Sequence, residues 1–289
     1  MLNDGAFSRK CYWNGAKKIL NLLNLNSARV KPEFLIIGVQ KGGTTSLYRY
    51  LSHHPSILAA GIKEAGFFYD DKQYCRGGDW YLENYFPPLT RENRRKLFFE
   101  ATPEYIYYPA CPERIYSYNK KMKMIVILRD PVERAFSGWN MFRNFEKVSH
   151  YRHLTEYRSF MEAITSEIRL LKDCLTYDHW LEVALEPSYV RRGLYYQQLL
   201  RYLKFFPPKQ FYITENKRLQ RDAATVLDEI ADFLDVARID WGAAIKPLHN
   251  QGRYDEKIIP AEPRKLLVDF FRPHNLALFK LLGTEYDWL

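Results

Sequence analysis

No apolar run in this chain approaches the roughly 20 residues that a membrane-spanning helix needs, so no transmembrane segment is expected. The N-terminus also lacks the continuous hydrophobic region of a secretory signal. Cysteine is scarce: Cys11, Cys75, Cys111 and Cys174 are scattered, without Cys-x-x-Cys or Cys/His ligand spacing. That argues against a metal site and for free thiols in a reducing, cytoplasmic setting. No dense basic run is interleaved with aromatics. Lys120-Lys121-Met122-Lys123 reads as the solvated entrance to the strand that follows, so nucleic acid is not an expected partner. Repeats, low-complexity tracts and Pro/Gly/Ser-rich linkers are missing too, which favours one main domain.

The 289 residues are 47% hydrophobic and 27% charged, the balance of an ordinary globular protein able to bury a sizeable core. An excess of 43 Lys and Arg over 34 Asp and Glu gives a formal charge of +9, which favours an anionic ligand. Aromatics reach 16%, with 22 tyrosines, and suit either a tyrosine-rich core or a groove for rings. Apolar strands are predicted at Phe34–Val39, Ser56–Ala60, Leu97–Glu100, Met122–Leu128 and Gln210–Thr214. Helices are predicted at Thr45–His53, Val132–Phe145, Leu154–Leu171, Leu194–Phe205, Ala223–Leu234 and Pro263–Leu281. This alternation predicts an α/β fold, a P-loop-like parallel sheet flanked by helices on both faces. Residues 1–32 are expected to form an N-terminal helical extension, with an amphipathic helix over Cys11–Leu25, and residues 33–289 the main domain.

Two strand-to-helix junctions carry the chemistry. In the first, Phe34–Val39 runs into Gln40-Lys41-Gly42-Gly43-Thr44-Thr45-Ser46. The glycines permit a tight turn whose N–H groups converge on an anion, the helix adds its positive dipole end, and Lys41 adds a charge. The lysine precedes the glycines, whereas the ATP-binding loop ends in Gly-Lys-Ser/Thr. In the second, Ile125–Leu128 runs into Arg129-Asp130-Pro131, with Ser137 further along the helix. Asp130 suits the N-cap and Pro131 the first helical position, so the cap directs Arg129 toward the crevice at the strand ends. Its guanidinium is built for a forked phosphate contact.

Together these junctions resemble those of sulfotransferases that use 3′-phosphoadenosine 5′-phosphosulfate (PAPS), in the heparan-sulfate-type branch and its bacterial relatives. His54-Pro55, Lys63-Glu64 before Phe67-Phe68, Gly193-Leu194-Tyr195, Phe233-Leu234 and Tyr286-Asp287-Trp288 extend the resemblance over roughly residues 33–289. It implies that Lys41, Gly42, Gly43, Thr44, Thr45 and Ser46 hold the 5′-phosphosulfate, and that Arg129 and Ser137 hold the 3′-phosphate. By the same resemblance Glu64 is the catalytic base, Lys41 stabilises the leaving charge, Gly252 and Arg253 close over PAPS from a late loop, and no metal is needed. His53, His54 and His249 are expected to be structural. The acceptor is expected to be a carbohydrate or a secondary metabolite.

One departure concerns Glu100-Ala101-Thr102-Pro103-Glu104-Tyr105, which resembles a substrate-side motif that in glycosaminoglycan enzymes often has lysine at the position of Ala101. Its loss weakens the case for a highly sulfated acceptor. The cysteine pair and membrane anchor of Golgi enzymes are absent as well, so a bacterial-type soluble enzyme is the better fit. Two other readings stay open on the residues alone. A P-loop-type kinase should show Gly-Lys-Ser/Thr and an acidic magnesium ligand, and a non-catalytic nucleotide- or polysaccharide-binding module would not need Glu64.

Overall fold

The structure is a computed structural model, and it describes residues 30–173, 187–245, 256 and 258–289. The amphipathic segment expected over Cys11–Leu25 lies outside the described residues. Five strands, β1 (Phe34–Gly38), β2 (Ile57–Ala59), β3 (Leu97–Ala101), β4 (Lys123–Leu128) and β5 (Phe211–Glu215), form one sheet in the order β2-β3-β1-β4-β5. Every pairing is parallel, as the near-continuous apolar runs of β1 and β4 foretell for strands covered on both faces.

The period-two alternation of β1 and β4 sorts their side chains between two cores. Leu35, Ile37, Met124, Val126 and Leu128 face a tyrosine- and phenylalanine-rich layer that includes Phe67, Phe68, Tyr81, Tyr105 and Tyr202. Phe34, Ile36, Ile125 and Ile127 face α1 (Thr44–Leu51) and, later in the chain, the helix Ala223–Leu234. That helix presents Val226, Leu227, Ile230 and Leu234 at helical spacing, and each such buried side chain contributes about 1.5–3 kcal/mol relative to exposure. The high tyrosine content is thus largely core.

Between β2 and β4 come α2 (Asp71–Tyr74), α3 (Gly77–Tyr85) and α4 (Cys111–Tyr118). After β4, α5 (Pro131–Arg143) and α6 (Phe160–Asp173) join the C-terminal helix in a third core of Phe136, Trp139, Phe160, Ile164, Ile168, Leu267 and Phe271. The remaining helices are α7 (Tyr195–Leu203), α8 (Asn216–Arg221), α9 (Ala223–Leu234) and α10 (Ala261–Leu282).

The helix predicted from Leu154 begins instead at Phe160. Ser159 and Glu162 form a capping box: the Ser159 N–H donates to Glu162 Oε2 at 2.8 Å, and the Glu162 N–H donates to Ser159 Oγ at 3.3 Å. Residues before it are spent on a 3-10 turn, Ser149–Leu154.

The connection after β1 leads toward β2 on one side of the sheet, while that after β4 leads toward β5 on the other. The boundary between β1 and β4 is therefore the switch point at which open α/β sheets form their ligand crevice.

Candidate active site

At that switch point the two sequence junctions meet. Arg129 Nη1 donates to the Lys41 carbonyl at 3.0 Å, and Asn216 Nδ2, at the end of β5, donates to the Gly42 carbonyl at 2.7 Å. The loop turns tightly: the Gly42 N–H donates to the Val39 carbonyl at 2.8 Å. Gly42 cannot carry a side chain, because a Cβ there would lie 2.4 Å from the Ile127 carbonyl oxygen. Lys41 at φ 68° and Gly43 at φ 104° both occupy the left-handed region, which the glycine adopts without cost. Gly43 is the N-cap of α1 with no side-chain capping bond, so backbone N–H groups, not a side chain, finish the helix start. Thr44 is buried at the first helical position, and Thr45 and Ser46 are half-buried beside it.

On the β4 side, Asp130 caps α5 as expected, accepting from the Val132 N–H at 2.8 Å, with Pro131 opening the helix. Burial raises the Asp130 carboxyl above its ordinary range, against the lowering effect of these N–H donors. Arg129 is further fixed by Tyr195, whose hydroxyl donates to its carbonyl at 2.8 Å, and it lies 4.0 Å from Glu133. Ser137 follows on the same helix and is buried, its side chain 7% exposed.

Glu64 sits beyond β2 in a left-handed turn with φ 63°. Three consecutive N–H groups pin this turn to the end of β3: Glu64 to the Ala101 carbonyl at 2.9 Å, Ala65 to Glu100 Oε1 at 3.3 Å, and Gly66 to Thr102 Oγ1 at 3.3 Å. The Glu64 side chain is 52% exposed and ion-pairs with its neighbour Lys63. Beneath it Glu100 is wholly buried and hydrogen-bonded to the Thr102 hydroxyl; burial pushes its carboxyl up to about 7.

Other contacts beside the loop join residues far apart in the chain. Glu104 Oε1 accepts from Gln40 Nε2 at 3.3 Å and lies 3.9 Å from Arg192, whose guanidinium covers the Tyr107 ring at 4.2 Å. Burial raises the Glu104 carboxyl; Arg192 opposes the rise and Glu64 adds to it. The sequence signal for Glu104 is its place in the Glu100–Tyr105 segment, just past the end of β3. His54 is structural as expected: Nε2 bonds the Ala237 carbonyl at 2.8 Å and the ring packs on Trp241. His53 bonds the Arg49 carbonyl on the helix surface. Gly252, Arg253 and His249 lie outside the described residues. Among the described residues no group of His, Cys, Asp and Glu stands ready to hold a metal ion, and no helix is long and apolar enough to cross a membrane.

A family profile described as "Sulfotransferase domain" matches residues 31–241. The membrane-associated sulfotransferase kil1 of Dictyostelium discoideum is 28% identical over 89% of this chain and 66% of its own length. Human bifunctional heparan sulfate N-deacetylase/N-sulfotransferase 3 is 30% identical over 87% of this chain. The alignment spans only 30% of that larger protein. Mouse heparan sulfate glucosamine 3-O-sulfotransferase 5 is 27% identical over 95% of this chain and 78% of its own. Among solved structures, a sulfotransferase from Alicyclobacillus acidocaldarius superposes with a TM-score of 0.64 at 28% identity, covering 89% of this chain and 98% of that one. With two anion-directed junctions on adjoining strands and a family profile running through β1 to α9, this chain belongs to the sulfotransferase family.

Proposed function

We propose that the protein transfers a sulfuryl group from PAPS to a hydroxyl or amine of a carbohydrate or secondary-metabolite acceptor, releasing adenosine 3′,5′-bisphosphate (PAP). The contact between Arg129 and the Lys41 carbonyl carries this reading, because it puts two cations and a helix start at one crevice, as a nucleotide with anionic groups at two positions requires. Lys41, Gly42, Gly43, Thr44, Thr45 and Ser46 take the 5′-phosphosulfate, Arg129 and Ser137 the 3′-phosphate, and Gly252 and Arg253 contribute from the late loop. The acceptor oxygen or nitrogen attacks sulfur in line while its proton passes to Glu64. The bond from sulfur to the bridging oxygen breaks, its electron pair stays on the PAP phosphate, and Lys41 offsets the charge growing there. This scheme needs no metal, since side-chain cations supply the charge.

The relatives named for heparan sulfate support a carbohydrate acceptor. A cytoplasmic location extends the reading, supported by the scattered cysteines; recovery in the membrane fraction would contradict it. The whole reading is tested by thermal stabilisation and by transfer of label from PAPS. PAP without magnesium should raise the melting temperature, by the equivalent of about 2.7 kcal/mol at a hundredfold excess over Kd. Stabilisation by magnesium-ATP alone would favour a kinase instead.

A further inference from the structure

The segment after β3 is stitched to the end of β1. The Thr102 N–H donates to the Ile36 carbonyl at 3.1 Å and the Ile106 N–H to the Ile37 carbonyl at 2.9 Å. This carries Glu104 alongside the phosphate loop, where it accepts from Gln40, the residue preceding Lys41. The turn that carries Glu64 is pinned to Ala101 and Thr102, just before Glu104, and the Tyr69 ring lies 6.3 Å from that of Tyr105, so Glu64, Tyr69 and Glu104 gather around the end of β3, on the side of β1 away from β4.

The cations of this side are matched internally. Lys63 is paired with Glu64, while Arg192 is 4% exposed, held against Tyr107 and set opposite Glu104. The Ala101 methyl is fully buried and adds no charge to this side. Glu104 keeps 18% of its side chain exposed, so its carboxylate retains acceptor capacity beyond the Gln40 and Arg192 contacts. Tyr69 stacks on Tyr108 with ring centroids 4.9 Å apart, and both rings are half-buried. An anionic acceptor would meet, in Lys63 and Arg192, cations already paired with carboxylates. An uncharged or amine-bearing one would meet a hydrogen-bond acceptor and an aromatic wall.

We propose that Glu104 is the acceptor-recognition carboxylate of this enzyme, and that the acceptor is an uncharged or amine-bearing ring compound, not a polyanion. The proposal rests on the sulfotransferase reading and narrows it, although the relatives include enzymes named for the polyanion heparan sulfate.

The test uses three matched probes with labelled PAPS: 4-nitrophenyl β-D-glucoside, β-D-glucosaminide and β-D-glucuronide. The glucoside and glucosaminide should exceed the glucuronide in kcat/KM by about tenfold or more, a modest share of the cost of desolvating an anion beside cations that are already paired. Glu104→Gln should shrink that ratio by about threefold or more, in line with releasing Arg192 from its carboxylate, while PAP still raises the melting temperature. A glucuronide as good as the glucoside in the native protein overturns the proposal, whatever the variant does. Labelling of none of the three by a protein that PAP stabilises overturns it as well, as does an unchanged ratio in a folded Glu104→Gln. A native protein that PAP does not stabilise refutes the sulfotransferase reading itself, which separates the two failures.

Discussion

Arg129 donates from Nη1 to the carbonyl oxygen of Lys41 at 3.0 Å, joining the end of β4 to the loop that follows β1. One guanidinium edge is thereby committed to the loop, while Nη2 lies 4.0 Å from Glu133 Oε2, beyond hydrogen-bond length, so a ligand oxygen would compete with that carboxylate for it. Removing it acts twice, by losing a cation and by releasing the loop. Arg129→Ala should weaken PAP binding by about ten- to a hundredfold, as expected for a charge-assisted bond of about 1.5–3 kcal/mol. Arg129→Lys should restore little, because a point charge cannot serve the Lys41 carbonyl and a phosphate together. Calorimetric titration with PAP measures both, and full affinity in the lysine variant would contradict the bridging role.

Gly42→Ala should destabilise the fold itself. The new methyl carbon would lie 2.4 Å from the Ile127 carbonyl and 2.9 Å from the Val39 carbonyl, and neither atom can swing away as a side chain would. Overpacking of this kind costs about 1–3 kcal/mol, and backbone walls put it toward the upper end. Denaturant unfolding reads the loss, and a native-like midpoint would show that the turn has room.

Glu64→Gln separates catalysis from donor binding. Its turn is held by the backbone N–H groups of Glu64, Ala65 and Gly66, which the substitution leaves untouched. Transfer should fall by about 10²–10⁴-fold, the usual worth of a positioned proton acceptor. The PAP-induced rise in melting temperature should persist. Undiminished turnover would remove Glu64 from the proton path.

Glu100 should leave a signature in the pH dependence of stability. Burial lifts its folded-state value to about 7 from an ordinary 4.5, so between these limits the folded protein holds a proton that the unfolded chain has released. Stability from this group is therefore full at the acid end and declines as pH rises toward 7, by up to about 3 kcal/mol for a shift of that size. Glu100→Gln keeps an oxygen for the Ala65 N–H but cannot ionise. The stability of the native protein relative to this variant should thus fall between pH 5 and 8, measured by denaturant titration at each pH. Parallel pH profiles would show that Glu100 does not titrate in this range.

The two strand-to-helix junctions were legible in the sequence because each part is local. An apolar strand, a glycine turn and hydroxyl residues at a helix start state their geometry within a few residues, as do Asp130 and Pro131 beside Arg129. For Glu104 the sequence offered its segment, Glu100–Tyr105, but not its partners: Gln40 and Arg192 are brought near by the parallel pairing of β1 with β3 and by the fold of residues 188–195. The start of α6 was misplaced for a different reason, since the apolar pattern continues upstream of Ser159 and the Ser159/Glu162 capping box overrides it. Short α2, α3 and α4 each offer too few turns for a periodic signal, and they are held in place by packing of Tyr74, Tyr81 and Ile115.

The carbonyls of Lys41 and Gly42 are both tied sideways, one by Arg129 and the other by Asn216. In a trans peptide the C=O and N–H point in opposite directions. Anchoring the Gly42 oxygen therefore also aims the Gly43 N–H, away from Asn216. The orientational entropy of that dipole is surrendered when the sheet assembles, not when a ligand arrives. The set of the loop thus depends on residues that follow strands β4 and β5, neither of which contributes the loop's own backbone.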